Sequence, residues 1–147
     1  MGLQEQLIED MKVAMKAGDK VRLNTVRMIR AQIKDEQIAK GDALTEDEEI
    51  SVLINAAKKR KEAIEHYEKS ERKDLLEKEK RELEIISNYL PKQLTEEEVE
   101  KIVAQVIDEV GAETLRDIGK VMSAAMKQLK GKADGKLVQD MVRKKLS

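Results

Sequence analysis

The sequence predicts an all-α protein of seven helices: an N-terminal four-helix domain over residues 1–91 and a C-terminal three-helix domain over residues 92–147. Three observations lead there. Apolar residues recur at intervals of three and four along most of the chain, the spacing that lines one face of a helix. Alternation with period two is absent, and β-branched residues fall only at helical intervals. Glycines are few and sit where periodic segments stop, and the chain has one proline.

Composition agrees with folded helices. Charged residues make up 40% of the 147 residues and aromatics 1%, but another 40% is hydrophobic, much of it Leu, Ile, Val and Met. A disordered polyampholyte lacks that apolar content. The formal net charge of −1 gives no global field to attract nucleic acid. The local balance differs: Thr95 to Asp117 holds eight acidic residues against two basic, and Gly119 to Ser147 holds eight basic against two acidic. Without cysteine there is no disulfide, thiolate nucleophile or cysteine metal site. No secretory or transit segment and no bilayer-spanning apolar run is read from the sequence, so a cytoplasmic protein without membrane contact is expected.

The first helix is predicted from about Gly2 to Lys16, with Leu3, Leu7, Met11 and Met15 four apart on one face. Gly18 ends it and Asp19 caps the second, which turns Leu23, Val26, Ile29 and Ile33 inward beside a basic stripe of Arg27, Arg30 and Lys34. Gly41 closes that helix. Thr45-Glu46-Asp47-Glu48 is a capping box for the third, which carries Ile50, Leu53, Ile54, Ala57 and Ile64. Its run Lys58-Lys59-Arg60-Lys61 points around nearly the whole circumference, so it is expected to be solvated. After a connection at Ser70 to Lys73, the fourth helix places Leu76, Leu83, Ile86 and Leu90 on one side. It is expected to end at Leu90, because Pro91 disfavours helical geometry before it.

Asn88-Tyr89-Leu90-Pro91-Lys92 is the predicted boundary. Thr95-Glu96-Glu97-Glu98 is a second capping box, opening a helix with Val99, Ile102, Val103, Val106 and Val110 that stops at Gly111. Thr114 is expected to cap the sixth helix, whose Val121, Met122, Ala125, Met126 and Leu129 form an apolar face. Gly131 ends it in left-handed geometry, and Asp134 caps a seventh through Leu137, Val138, Met141 and Val142.

That last corner carries the sharpest functional signal. Lys120, Lys127, Lys130, Lys132 and Lys136 bracket a tight turn and a fresh helix start, an arrangement able to hold a phosphate. Gly131-Lys132-Ala133-Asp134-Gly135-Lys136 is not a nucleotide-triphosphate loop: only three residues separate the glycines, and Leu137 follows Lys136. The seventh helix also lacks the Arg, Asn or Gln cluster that reads base edges. With Tyr67 and Tyr89 the only aromatics, base stacking is not the mode of any nucleic-acid contact, which leaves phosphate and shape. His66 with Glu62 one turn away supplies two ligands and not a zinc site, and no carboxylate cluster stands out as a general acid or base. No catalytic residue, metal or cofactor is assigned.

Several runs resemble the GatB/YqeY family over essentially the whole chain. They are Leu7 to Lys12, Arg27-Met28, Tyr89-Leu90-Pro91-Lys92-Gln93-Leu94, Gly119-Lys120-Val121-Met122 and, above all, Lys130-Gly131-Lys132-Ala133-Asp134-Gly135 with Val138. The last is similar to the end of the B subunit of the tRNA-dependent amidotransferase, where Asn-Pro stands in place of Asp134-Gly135. The resemblance implies a tRNA-contacting, tail-like helical region without the amidotransferase's catalytic domain, ATP site or glutaminase. The expected function is a non-catalytic module binding tRNA through Lys120, Lys127, Lys130, Lys132 and Lys136. Gly131 and Asp134 would set the corner, and Gly135 would let a backbone approach closely. The alternatives are a protein-interaction adaptor and an accessory part of a carbon–nitrogen ligase complex that uses glutamine as amido donor.

Overall fold

A computed structural model describes residues 2–147. Among these residues there are seven α-helices, one short 3-10 turn and no strand. The helices are α1 (Leu3–Ala17), α2 (Lys20–Lys40), α3 (Glu46–Ser70), α4 (Lys73–Ser87), α5 (Glu96–Val110), α6 (Ile118–Leu129) and α7 (Gly135–Leu146), with the 3-10 turn at Leu115–Asp117. They gather into two compact units, one ending at Leu90 and the other running Pro91–Ser147.

The first unit holds α1 to α4. Asp19 accepts from the Arg22 amide at 3.1 Å and starts α2. Thr45 and Glu48 complete the reciprocal capping box of α3, each serving the other's backbone amide. Leu7, Val26, Ile29, Ile33, Leu53, Ala56, Ala57 and Ile86 form most of its core. The expected α1 stripe breaks at Met15, which is 54% exposed while Ala14 is buried. Each four-residue step turns 400°, so a strict i+4 row drifts by about 40° per step and its fourth member leaves the face.

Helix α4 stops at Ser87 rather than Leu90. Tyr89 and Leu90 continue as tighter turns, their amides donating to the Ile86 and Ser87 carbonyls at 3.0 and 3.2 Å. The Tyr89 hydroxyl donates to Asp10 at 2.5 Å. Burial, with this hydrogen bond to Asp10, pushes the phenol above its usual range.

The basic run in α3 is not uniformly solvated. Lys58, Lys59 and Lys61 are exposed, but the Arg60 side chain is only 15% exposed. Its Nε lies 2.6 Å from Glu82 and 3.5 Å from Glu79 of α4. Burial, with Glu82 adjoining, raises the Glu79 carboxyl above its ordinary value.

The second unit holds α5 to α7 around Val99, Val103, Val106, Val121, Ala125, Leu129, Val138, Val142 and Leu146. Thr95 accepts from the Glu98 amide at 3.2 Å, so half of the expected capping box forms. Thr114 does not cap α6 directly. It caps the 3-10 turn, and the Thr114 amide in turn donates to the Asp117 carboxylate. The tighter turn leads the chain from Gly111 into α6.

Candidate nucleic-acid interface

The corner between α6 and α7 is built from a turn, a strap and a cap. Helix α6 ends at Leu129, one residue earlier than a helix closed directly by Gly131 would. Lys130 is extended, with φ −55° and ψ 122°, and Gly131 follows with φ 77°. The Lys132 amide donates back to the Leu129 carbonyl at 2.8 Å. These angles and this bond define a type II β-turn, which requires positive φ at its third position. Gly131 therefore supplies the left-handed residue as expected, but for a turn following the helix. Asp134 then accepts from the Lys136 amide at 3.0 Å and starts α7.

A strap not foreseen from the sequence braces the turn. The Gln93 amide nitrogen donates to the Gly131 carbonyl at 2.6 Å and to the Pro91 carbonyl at 2.9 Å. The Leu94 backbone amide donates to the Lys132 carbonyl at 2.9 Å. Two of the runs that carry the family resemblance thus meet here. Their shared place in the resemblance was the available signal, but nothing local in the sequence pairs them.

Lys120, Lys127, Lys130, Lys132 and Lys136 are all exposed, and none forms an ion pair among the described residues. Lys127 lies in the last turn of α6, Lys130 and Lys132 within the connection, and Lys136 in the first turn of α7. Lys120 stands apart at the opposite end of α6, about 15 Å along the axis from Lys130 at 1.5 Å per residue. There it neighbours Asp117, whose carboxyl is held low by the Glu113 and Thr114 amides with a contribution from Lys120.

The helix start itself is less open to an anion than the sequence suggests. The Asp134 carboxylate already occupies the Lys136 amide. Gly135 has open surroundings within the chain. A Cβ there would meet only the Met126 methyl at 3.9 Å, an ordinary contact, so no backbone approaches it within the chain.

The first unit carries a shallow polar cleft of about 220 Å³ lined by Asp19, Arg22, Arg81, Glu84, Ile85 and Asn88. Asp19 and Arg81 pair across it at 2.7 Å. His66 lies elsewhere on α3, exposed, with its ring edge-on to Tyr67 at 5.6 Å. No group of three His, Asp or Glu side chains suited to a metal occurs among the described residues. No described helix is long and apolar enough to cross a membrane.

Comparison with known proteins gives a consistent picture. The family described as Yqey-like protein matches residues 4–146. The chain is 34% identical over 134 residues to the mitochondrial protein "Altered inheritance of mitochondria protein 41" of Kluyveromyces lactis, covering 88% of this chain and 68% of that one. The protein of the same name from Pyrenophora tritici-repentis is 30% identical over 130 residues, covering 87% and 71%. The E subunit of the glutamyl-tRNA(Gln) amidotransferase of Thermococcus sibiricus is 32% identical over 150 residues, which takes in 99% of this chain but only 21% of that larger protein. With nearly its whole length matched, the chain belongs to the Yqey-like protein family.

Proposed function

We propose that the chain is a non-catalytic helical module that binds tRNA through its second unit. The observation that supports this most directly is the corner itself. Lys127, Lys130, Lys132 and Lys136 surround it without ion pairs, on backbone fixed by Gln93 and Leu94. Unpaired cations have no ion pair to break before they meet phosphates, and phosphate contacts position a nucleic acid without reading its bases. Similarity to part of a glutamyl-tRNA amidotransferase supports tRNA as the nucleic acid. Lys120 contributes at the far end of α6.

Electrophoretic titration with unfractionated tRNA at two salt concentrations tests the reading. Binding is expected to weaken steeply with salt. Lys130→Glu with Lys132→Glu is expected to weaken it for all tRNA species alike, with the fold retained. Equal affinity of the wild type and the folded double variant would remove the corner as the site.

The second reading is an accessory role within a carbon–nitrogen ligase complex that uses glutamine as amido donor. The same similarity favours it, because in that relative the matched stretch is about a fifth of a longer chain. A protein-interaction adaptor, the other alternative, would dock by apolar contact and resist salt. The compartment proposed for the module is the cytoplasm, while the fungal relatives are named as mitochondrial. The chemistry proposed is the same in either compartment.

A further inference from the structure

We infer that the basic surface of the second unit is built for an extended RNA backbone rather than a single phosphate, and that Arg143 is one of its contacts. This rests on the tRNA-binding reading and specifies the surface that serves it.

Several of the corner's amides are engaged. The Lys132 and Ala133 amides both donate to the Leu129 carbonyl, at 2.8 and 3.1 Å, and the Lys130 amide donates to Met126 at 3.0 Å. The Lys136 amide is held by Asp134 at 3.0 Å. The Asp134 carboxylate, which holds one amide of the helix start, would repel a compact phosphate placed there. The corner's long, exposed cationic side chains suit a series of phosphates.

The spacing of the cations agrees. Lys120 and Lys127 on α6, and Lys136 and Arg143 on α7, are each seven residues apart, two helical turns or about 10.5 Å. All four side chains are exposed, while Val121, Ala125 and Leu129 of α6 and Val138, Val142 and Leu146 of α7 are buried. One strand of duplex DNA presents a charge about every 3.4 Å of axis, and an RNA helix is no more sparsely charged, so rows of this length meet more than one phosphate.

The structure also separates Arg143 from Lys145. Lys145 turns to Glu100 of α5 at 3.3 Å and is partly covered. Arg143 is exposed and has no ion pair or side-chain hydrogen bond among the described residues. Its planar guanidinium is suited to bidentate contact with phosphate.

The test uses the full chain and unfractionated tRNA, with inorganic phosphate as competitor at matched ionic strength. Arg143→Gln is expected to weaken binding and to flatten the dependence of log affinity on log salt by roughly 0.7–0.9. Lys145→Gln is expected to leave that slope unchanged, because its ammonium already faces Glu100. Inorganic phosphate is expected not to displace tRNA. Wild-type affinity and slope for folded Arg143→Gln, while Lys130→Glu with Lys132→Glu loses binding, would overturn the extended surface and leave the corner standing. Displacement of tRNA by phosphate would point to a single-anion site and overturn it as well. Absence of tRNA binding by the wild type at low salt would overturn the function itself.

Discussion

Gln93 and Gly131 lie 38 positions apart in the chain, and the side-chain amide of the first donates to the carbonyl of the second at 2.6 Å. With the neighbouring bond from Leu94 to Lys132, this ties the start of the second unit to the turn that carries its central lysines. The bond also accounts for a glutamine at a site where any polar residue would satisfy solvent. A shorter amide would not span from Pro91 to Gly131, and a carboxylate could not donate to either carbonyl.

Replacing Gln93 by Met keeps the length and removes the donor. The Gly131 carbonyl then loses its partner, and the expected cost is about 0.5–1.5 kcal/mol, the usual net value of one such hydrogen bond. Chemical denaturation of the full chain measures it. An unchanged unfolding midpoint would show that the bond adds nothing to stability.

Backbone geometry gives a matched pair of opposite predictions. Gly131→Val puts a β-branched residue at φ 77° and is expected to destabilise by about 1–2 kcal/mol. Glu71 is the non-glycine residue with positive φ among the described residues, at 59°, where it closes α3. Glu71→Gly is expected to stabilise slightly, because relief of left-handed strain exceeds the added freedom of the unfolded chain. Thermal melts of the two variants should move in opposite directions, and a shift of Gly131→Val upward would contradict the assigned turn.

Arg60 gives the largest expected loss. Arg60→Met leaves Glu79 and Glu82 without their shared cation in a mostly buried setting, at an expected cost on the order of 3 kcal/mol. Glu79 adds a pH signature. Its folded pKa is raised above the ordinary 4.5, so its contribution is fully present below pH 4.5 and is lost as pH rises through the folded value. Glu79→Gln is expected to flatten the fall in stability just above pH 4.5. Identical pH profiles for the variant and the wild type would rule this out.

We propose that the second unit is an independent domain, and predict that a fragment from Pro91 to Ser147 folds alone. Its core residues, caps and strap all lie within that range. So short a chain buries a limited core, and modest stability is expected. Circular dichroism would show cooperative helical melting. A fragment that is unstructured while the full chain folds would mean that its core depends on the preceding helices.

The sequence by itself determined where the helices lie and how several of them begin. Thr45 with Glu48, Asp19 with Arg22, and Asp134 with Lys136 are local pairs, within three residues of each other, and each is found as a cap. The apolar faces of α5, α6 and α7 are equally local, because a period of 3.6 residues is written into one stretch of chain. Tertiary structure decided which charges remain available. Four basic residues follow one another at 58–61, and only Arg60 is enclosed, because α4 brings Glu79 and Glu82 against it. Lys145 faces Glu100, 45 positions away, while Arg143 is left open. Ion pairing depends on distance through space, and a helical period fixes the face a residue occupies but not the register of the helix packed against it.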